Sequence, residues 1–396
     1  SYTDQLIRYT GNRLIKVLSG QRRVGKSYIM RQIASHLIHN GIKSENTLFI
    51  NRELSVFDFI QNSDDLNHLV DAYQKKFKPE GKIYIFIDEV QEIKDWERAV
   101  NSMSQDYTVD IEVFISGSNS RLLSGELATL ISGRYVELSV YPFSFSEFSA
   151  VHNLIPDRQA FLHYMQEGGL PELINLPDED MKQRYMAGLR DSIMLKDIVK
   201  RYAIKDIGLL ENLLAYVVNN SSSLISITGI TNYLKSRGSK SSYETIATYL
   251  IYLQEAFIIH RSERYNISGK ALLAGNFKVY PNDQAYHNYL YPTVRFGNGY
   301  ILEGIVYMEL IREGYKVNTG VIRDKEIDFI AVKNDRILYV QVAYILTDEV
   351  TAEREYASLE YVKGIGEKFL VTLDDVSYPI RNGVRHIQAW EFHKYI

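Results

Sequence analysis

A chain of 396 residues exceeds one ordinary hydrophobic core, so two or three domains are expected. Hydrophobic residues at 45% and charged residues at 24% exclude a disordered chain, and 49 acidic against 45 basic side chains, net −4, exclude a protein that coats nucleic acid by bulk charge. Zero cysteines exclude disulfides, thiolate zinc sites and cysteine nucleophiles.

In chain order, residue 1 is Ser rather than Met, so the native start is expected to differ from this residue, and an export signal lost with it stays open. The opening SYTDQLIRYTGNRLIKV lacks a signal peptide's apolar region, and no stretch approaches the ~20 apolar residues of a membrane helix. A cytoplasmic protein with no membrane partner is expected. The apolar run 14–18 predicts a strand, followed by GQRRVGKS at 20–27, which matches GxxxxGK(S/T). Next comes YIMRQIASHLIH, a helix-period run with Ile29, Ile33, Leu37 and Ile38 on one face. Glycines let such a loop curl its N–H groups inward, and the helix N-terminus adds partial positive charge, so an anion cradle is predicted. Its members are Gly20, Gln21, Arg22, Arg23, Val24, Gly25, Lys26, Ser27 and Tyr28, with Lys26 reaching the β and γ phosphates and Ser27 ligating Mg²⁺. The alternative is a chance match to four specified residues.

TLFIN reads as a further strand. KIYIFIDEVQEI, 82–93, is a continuous apolar strand that ends in Asp88 and Glu89. Asp88 is placed to hold the Mg²⁺ shell and Glu89 to polarise the attacking water; the alternative is a strand running into a polar turn. IEVFISGSNSRLL ends in Ser116, Ser118 and Asn119, small polar groups suited to reading a γ-phosphate and equally common in turns. SGRYVELSVYPFSF supplies a fifth strand, with Arg134 just before it. The predicted fold class is α/β, a P-loop three-layer parallel sheet.

These residues resemble a P-loop ATPase of the AAA+ superfamily. More narrowly, GQRRVGKS, IFIDEVQEI, ISGSNSRLLSGE, SGRYVELSVYPFSFSEF, GGLPEL and KDIVKRY are similar to the bacterial and archaeal group with a GxRRxGKS loop and a C-terminal domain of unknown function. The resemblance covers residues 14 to about 203. It implies Lys26 and Ser27 as Walker A, Asp88 and Glu89 as Walker B, and Asn119, with Ser118 second, as the sensor. By the same analogy Arg134, between the fourth helix and fifth strand, falls where an arginine finger sits; the alternative is an exposed arginine or one tied to Glu137. A finger acts in trans and so implies a homo-oligomer.

Gly168-Gly169 and Pro171 punctuate the chain before helices between about 180 and 220, and a domain boundary is placed at 203/204. From 204 to 292 two short helices, a longer one and a two-strand ribbon around FIIHRSE and FKVY read as a winged helix. Lys235, Arg237, Lys240, Arg261 and Arg264 form a candidate basic rim for DNA, but YETIATYLIYLQEAF is mostly apolar, so a packing or partner surface is the alternative. The thirty tyrosines suit stacking platforms and amphipathic cores alike.

The last segment, 293–396, opens with an amphipathic helix, YILEGIVYMELIREGY. Glu303, Asp328 and Gln341, followed by Ala343, resemble in order and spacing a nuclease core of the pattern E…D…(D/E/Q)xK, a restriction-endonuclease-like α/β fold. Alanine at the lysine position marks it as degenerate, with Lys333 or Lys325 as substitutes. An active nuclease, a nuclease-like fold used for binding or assembly, and an unrelated α/β fold remain three readings. The expected function is Mg²⁺-dependent ATP hydrolysis coupled to conformational work, with DNA as the partner that the domain types suggest. The alternatives are a non-hydrolytic nucleotide-gated assembly protein and an ATP-regulated nuclease. Glu89 argues for turnover, and ATP is preferred over GTP by resemblance.

Overall fold

The computed structural model describes residues 2–120, 133–292 and 298–396. A short helix, Tyr2–Arg8 (α1), precedes five apolar runs that become the parallel strands Ile15–Ser19 (β1), Thr47–Asn51 (β2), Ile83–Asp88 (β3), Ile111–Gly117 (β4) and Tyr135–Ser139 (β5). Every residue of β1, β3 and β4 is buried, because helices cover a parallel sheet on both faces, and such strands read as unbroken apolar runs rather than alternating ones. The sheet order is β2-β3-β4-β1-β5. Val17 and Ile87 both stand level with Ile115, so the carboxyl ends of β1, β3 and β4 come together. Helix Lys26–His39 (α2) buries Ile29, Met30, Ile33 and Leu37. Ile38, expected on that face, is exposed, since the stripe turns about 100° per residue and Met30 takes its place. Ser63–Phe77 (α3) starts at a capping box between Asn62 and Asp65, and Trp96–Gln105 (α4) follows β3. The helix expected before Arg134, and the part of ISGSNSRLLSGE beyond Ser120, lie outside the described residues.

These elements make one compact unit, Ser1–Val140 with Glu255–Phe257; the other is Tyr141–Gln254 with Ile258–Ile396. Both expected boundaries, 203/204 and 292/293, fall inside the second unit. It begins with Phe145–Val151 (α5), Arg158–Glu167 (α6) and Glu179–Ser192 (α7), the last running on through a π-helical stretch, Ile193–Val199. Then come Ile207–Asn219 (α8), Ile227–Ser236 (α9) and Tyr243–Glu255 (α10). The strands Ile259–Asn266 (β6) and Ala271–Pro281 (β7) form the ribbon read as a wing. It is not free-standing. With Lys316–Ile322 (β8), Lys325–Lys333 (β9), Arg336–Val342 (β10), Glu367–Thr372 (β11) and Val384–Gln388 (β12) it builds one sheet of order β12-β11-β10-β9-β8-β6-β7. Pairing of β6 with β8 is parallel and needs a long crossover, a contact that local pattern does not announce.

That crossover contains Gly299–Arg312 (α11), and a further helix, Glu349–Glu360 (α12), follows β10. Helix α11 buries Leu302, Ile305, Val306, Tyr307, Met308, Glu309 and Leu310, a nearly all-round pattern rather than the single stripe expected of an amphipathic helix. Phe145, Phe148, Phe161 and Tyr164 share its core with Phe329, Val340 and Phe369, so α5 and α6 belong with the C-terminal sheet. Among the described residues no helix is long and apolar enough to cross a membrane.

Candidate functional site

Where β1 ends, the loop is forced into shape by two glycines. Gly20 has φ 152, and a Cβ there would meet the Val140 carbonyl oxygen at 2.3 Å. Gly25, at φ 99, turns the chain directly into α2, whose first turn holds no acidic residue. The helix-end partial positive charge is therefore unopposed by its own side chains. Lys26 is 4% exposed and its Nζ donates to the carbonyls of Gly20 and Gln21, both at 2.8 Å. The same Nζ stands 3.9 Å from Oε1 of Glu89.

Glu89 closes the arrangement from the end of β3. Its Oε2 lies 3.8 Å from Nη2 of Arg22 and accepts a hydrogen bond from Gln91 Nε2, while Arg22 Nη1 pairs with Glu53 at 3.0 Å. The Glu89 backbone is left-handed, φ 55, uncommon for a residue with a side chain and a sign that its surroundings hold it. Its N–H donates to Ser116 Oγ at 3.2 Å, and that hydroxyl donates to Asp88. Two buried cations, Lys26 and Arg22, thus approach one buried carboxylate, Glu89, and its chain neighbour Asp88 is buried as well. In a low-dielectric setting such charges act strongly on an incoming anion.

Ser118 and Asn119 are fully buried at the end of β4, where Gln91 reaches Ser118 at 3.4 Å. Val24 is buried, Ser27 half-buried and Arg23 exposed with φ 67. Tyr28 is 73% exposed, so its ring takes no part in the buried cluster. Arg134 is exposed just before β5, its carbonyl accepting from Ile15 N at 2.9 Å. Among the described residues no ion pair joins it to Glu137. Asp88 and Ser27 offer the hard oxygen donors that Mg²⁺ requires, so the donor set fits that ion.

Residues 12–149 match the family model described as an AAA domain, and residues 158–294 match a domain of unknown function. An uncharacterized protein of Haemophilus influenzae is 37% identical over 378 residues, covering 94% of this chain and 92% of that protein. The chain belongs to that protein's family. An uncharacterized protein of Methanocaldococcus jannaschii is 29% identical over 384 residues, 92% of this chain and 81% of its own length. A Walker-type ATPase of Pyrococcus abyssi is similar in structure, with TM-score 0.48, 16% identity, and coverage of 72% of this chain and 92% of that one. By the family-model match, residues 12–149 are an AAA domain.

In the second unit of this AAA-domain protein the residues read as a degenerate nuclease core do meet, but around a lysine that the sequence reading passed over. Lys278 on β7 is 3% exposed, and its Nζ lies 2.9 Å from Glu303, 2.8 Å from Glu326 and 3.2 Å from Asp328. Tyr280 OH donates to Glu303 at 2.7 Å. Burial pulls the Lys278 pKa down, yet Asp328, Glu303 and Glu326 outweigh it and hold the ammonium protonated. Burial, then the neighbouring Asp328, pushes the Glu303 carboxyl above the usual carboxylate range, against Lys278 and Tyr280.

Gln341 accepts from Asp328 N at 3.3 Å and donates to Glu355 Oε2 at 3.1 Å, so its amide is spent on other partners. The cation there is Lys278; of the two expected substitutes, Lys333 stacks over Tyr315, and among the described residues no ion pair joins Lys325 to the cluster. A divalent ion does not fit a trio of carboxylates that already holds an ammonium within 3.2 Å of each member. The one available signal was a lysine inside the apolar run FKVY. Accordingly the intact protein is expected to leave DNA and RNA uncut with Mg²⁺ or Mn²⁺ over hours; cleavage abolished by Asp328→Ala would contradict the assignment.

The expected basic rim also divides. Arg261 lies 3.8 Å from the Phe277 ring centroid and pairs with Glu263 at 2.7 Å, engaged within the sheet, whereas Lys235, Arg237 and Lys240 are exposed.

Proposed function

We propose that this chain is an Mg²⁺-dependent ATPase of the AAA+ type that couples hydrolysis to conformational work. One observation carries the reading: a buried lysine in a glycine-shaped loop faces, at 3.9 Å, a buried glutamate from the end of a nearby strand. Lys26, with the loop N–H groups, binds the β and γ phosphates and leaves its carbonyl partners when they arrive. Ser27 and Asp88 would hold Mg²⁺, which would supply positive charge to offset that of the phosphates. Glu89 orients and polarises the attacking water, Asn119 stands as the sensor of the γ-phosphate, and Ser118 supports it.

Arg22 has a part of its own. Sharing Glu89 with Lys26, it keeps the carboxylate paired until phosphate draws both cations away. That pairing also favours a second reading, a nucleotide-gated switch in which Glu89 stays held and turnover is slow. Phosphate release in the presence of ATP and Mg²⁺ separates the two, and turnover far below one per minute would favour the switch.

DNA is the proposed partner, through the exposed Lys235, Arg237 and Lys240. Stimulation of phosphate release by DNA should fade between 50 and 200 mM salt, as phosphate contacts require; no stimulation at either salt concentration would remove DNA from the account.

Arg134 is the proposed arginine finger of a homo-oligomer. Arg134→Ala is expected to retain ATP affinity and lose up to roughly 10³-fold in turnover. Adding Lys26→Ala protein, which keeps its own Arg134, should restore part of that activity; absence of rescue in a demonstrated oligomer would count against the role in trans.

A further inference from the structure

The guanidinium of Arg22 stands between two carboxylates and is not shared equally. Its Nη1 lies 3.0 Å from Oε1 of Glu53, a hydrogen bond, while Nη2 lies 3.8 Å from Oε2 of Glu89, beyond hydrogen-bonding reach. That Glu89 oxygen already accepts from Gln91 Nε2, and its Oε1 faces Lys26 at 3.9 Å. Of these charged side chains only Glu53 reaches solvent freely, 56% exposed against 9% or less for Arg22, Lys26 and Glu89.

Glu53 is set in place by the end of β2. Asn51 stands level with Asp88 in the sheet, and its Oδ1 accepts from Glu53 N at 2.9 Å. Arg52 N donates to the Asp88 carbonyl at 3.2 Å, and Leu54 N to the Asn51 carbonyl at 3.1 Å. The Arg52 side chain reaches forward to the Phe57 carbonyl. A turn pinned in this way against the residue that precedes Glu89 fixes where the Glu53 carboxylate sits. An ion pair exposed on one side adds little to stability, so the consequence of this one is geometric.

A guanidinium presents its N–H groups in a planar fork that matches one carboxylate bidentately, and a buried one keeps a counter-charge close. With Glu53 in place the fork is split and Glu89 is held loosely. With the Glu53 charge removed, a movement of about 1 Å brings the fork into hydrogen-bonding reach of Glu89. A carboxylate that accepts charge-assisted hydrogen bonds is a weaker base toward water. We infer that Glu53 is a positioning residue for hydrolysis: it holds Arg22 off Glu89 and so leaves that carboxylate to the attacking water. This role rests on the ATPase reading, in which Glu89 polarises the water.

The test uses the full chain with saturating ATP and Mg²⁺. Glu53→Gln, at an exposed side chain that the fold tolerates, is expected to lower kcat by about tenfold while calorimetry shows ATP affinity within about twofold of the parent's. In an Arg22→Met background the same substitution should change kcat by less than about twofold, because there is no guanidinium left to close on Glu89. A second measurement does not depend on turnover. The coupling between Arg22 and Glu89 is read from the Tm values of Arg22→Met, Glu89→Gln and the double variant, each made in the parent and in the Glu53→Gln chain. That coupling should rise by about 2 °C or more when Glu53 is replaced. Parental kcat in Glu53→Gln, a loss of kcat that persists in the Arg22→Met background, or a coupling that does not rise would overturn the inference. A parent that binds ATP and releases no phosphate would remove the ATPase reading instead, and the Tm cycle alone would then decide whether Glu53 holds Arg22 off Glu89.

Discussion

Lys26→Ala is expected to lower ATP affinity by on the order of 10²-fold or more, with the protein still folded. The side chain is buried in the glycine-shaped loop, where it donates to two carbonyls and faces Glu89. Charge-assisted hydrogen bonds contribute about 1.5–3 kcal/mol each, and a phosphate takes more than one from a lysine and its loop. The variant also leaves Glu89 buried beside Arg22 alone, so a small loss of stability in the first unit should accompany the loss of binding. Calorimetry with ATP reads the first effect and thermal unfolding the second. Unchanged affinity would place the phosphates elsewhere.

Lys278→Met should have the largest effect on stability. It removes the cation that Glu303, Glu326 and Asp328 share while leaving the three carboxylates where they are. Breaking a buried ion cluster from one side costs about 3–5 kcal/mol, which for a unit of this size corresponds to a fall in Tm of roughly 10 °C. The pH dependence has a definite sign. Glu303 has its folded pKa raised, and without Lys278 the rise is larger. Its protonated form is then favoured by folding, so stability is greatest below the ordinary carboxylate pKa and is lost as pH rises through the folded value. The variant should therefore melt higher at pH 5 than at pH 8, and adding Glu303→Gln should recover part of the loss at pH 8. A Tm equal to the parent's at both pH values would show that the cluster contributes nothing to the fold.

The first unit was legible because its signals are local. GQRRVGKS fixes its own loop through Gly20 and Gly25, and strands covered on both faces announce themselves as apolar runs such as IYIFID. What escaped reading depends on partners far along the chain. Lys16 lies inside an apolar run, yet it is fully buried because Glu112, 96 residues later, meets it at 2.5 Å. Lys278 and Asp328 are 50 residues apart and meet only because β6 and β7 join the sheet of β8 and β9. Reading β6–β7 as a wing severed that connection, and with it the cation of the acid cluster.

The most direct test is the rate of phosphate release from saturating ATP and Mg²⁺ by the intact chain and by Glu89→Gln, with bound nucleotide measured in the same samples. Glutamine keeps the shape and can keep the contact with Gln91 while losing the charge proposed to polarise water. The account predicts that the intact chain turns over, and that the variant binds ATP as well or better and releases phosphate about 10²-fold more slowly. Equal rates in the two proteins, with ATP bound in both, would contradict it.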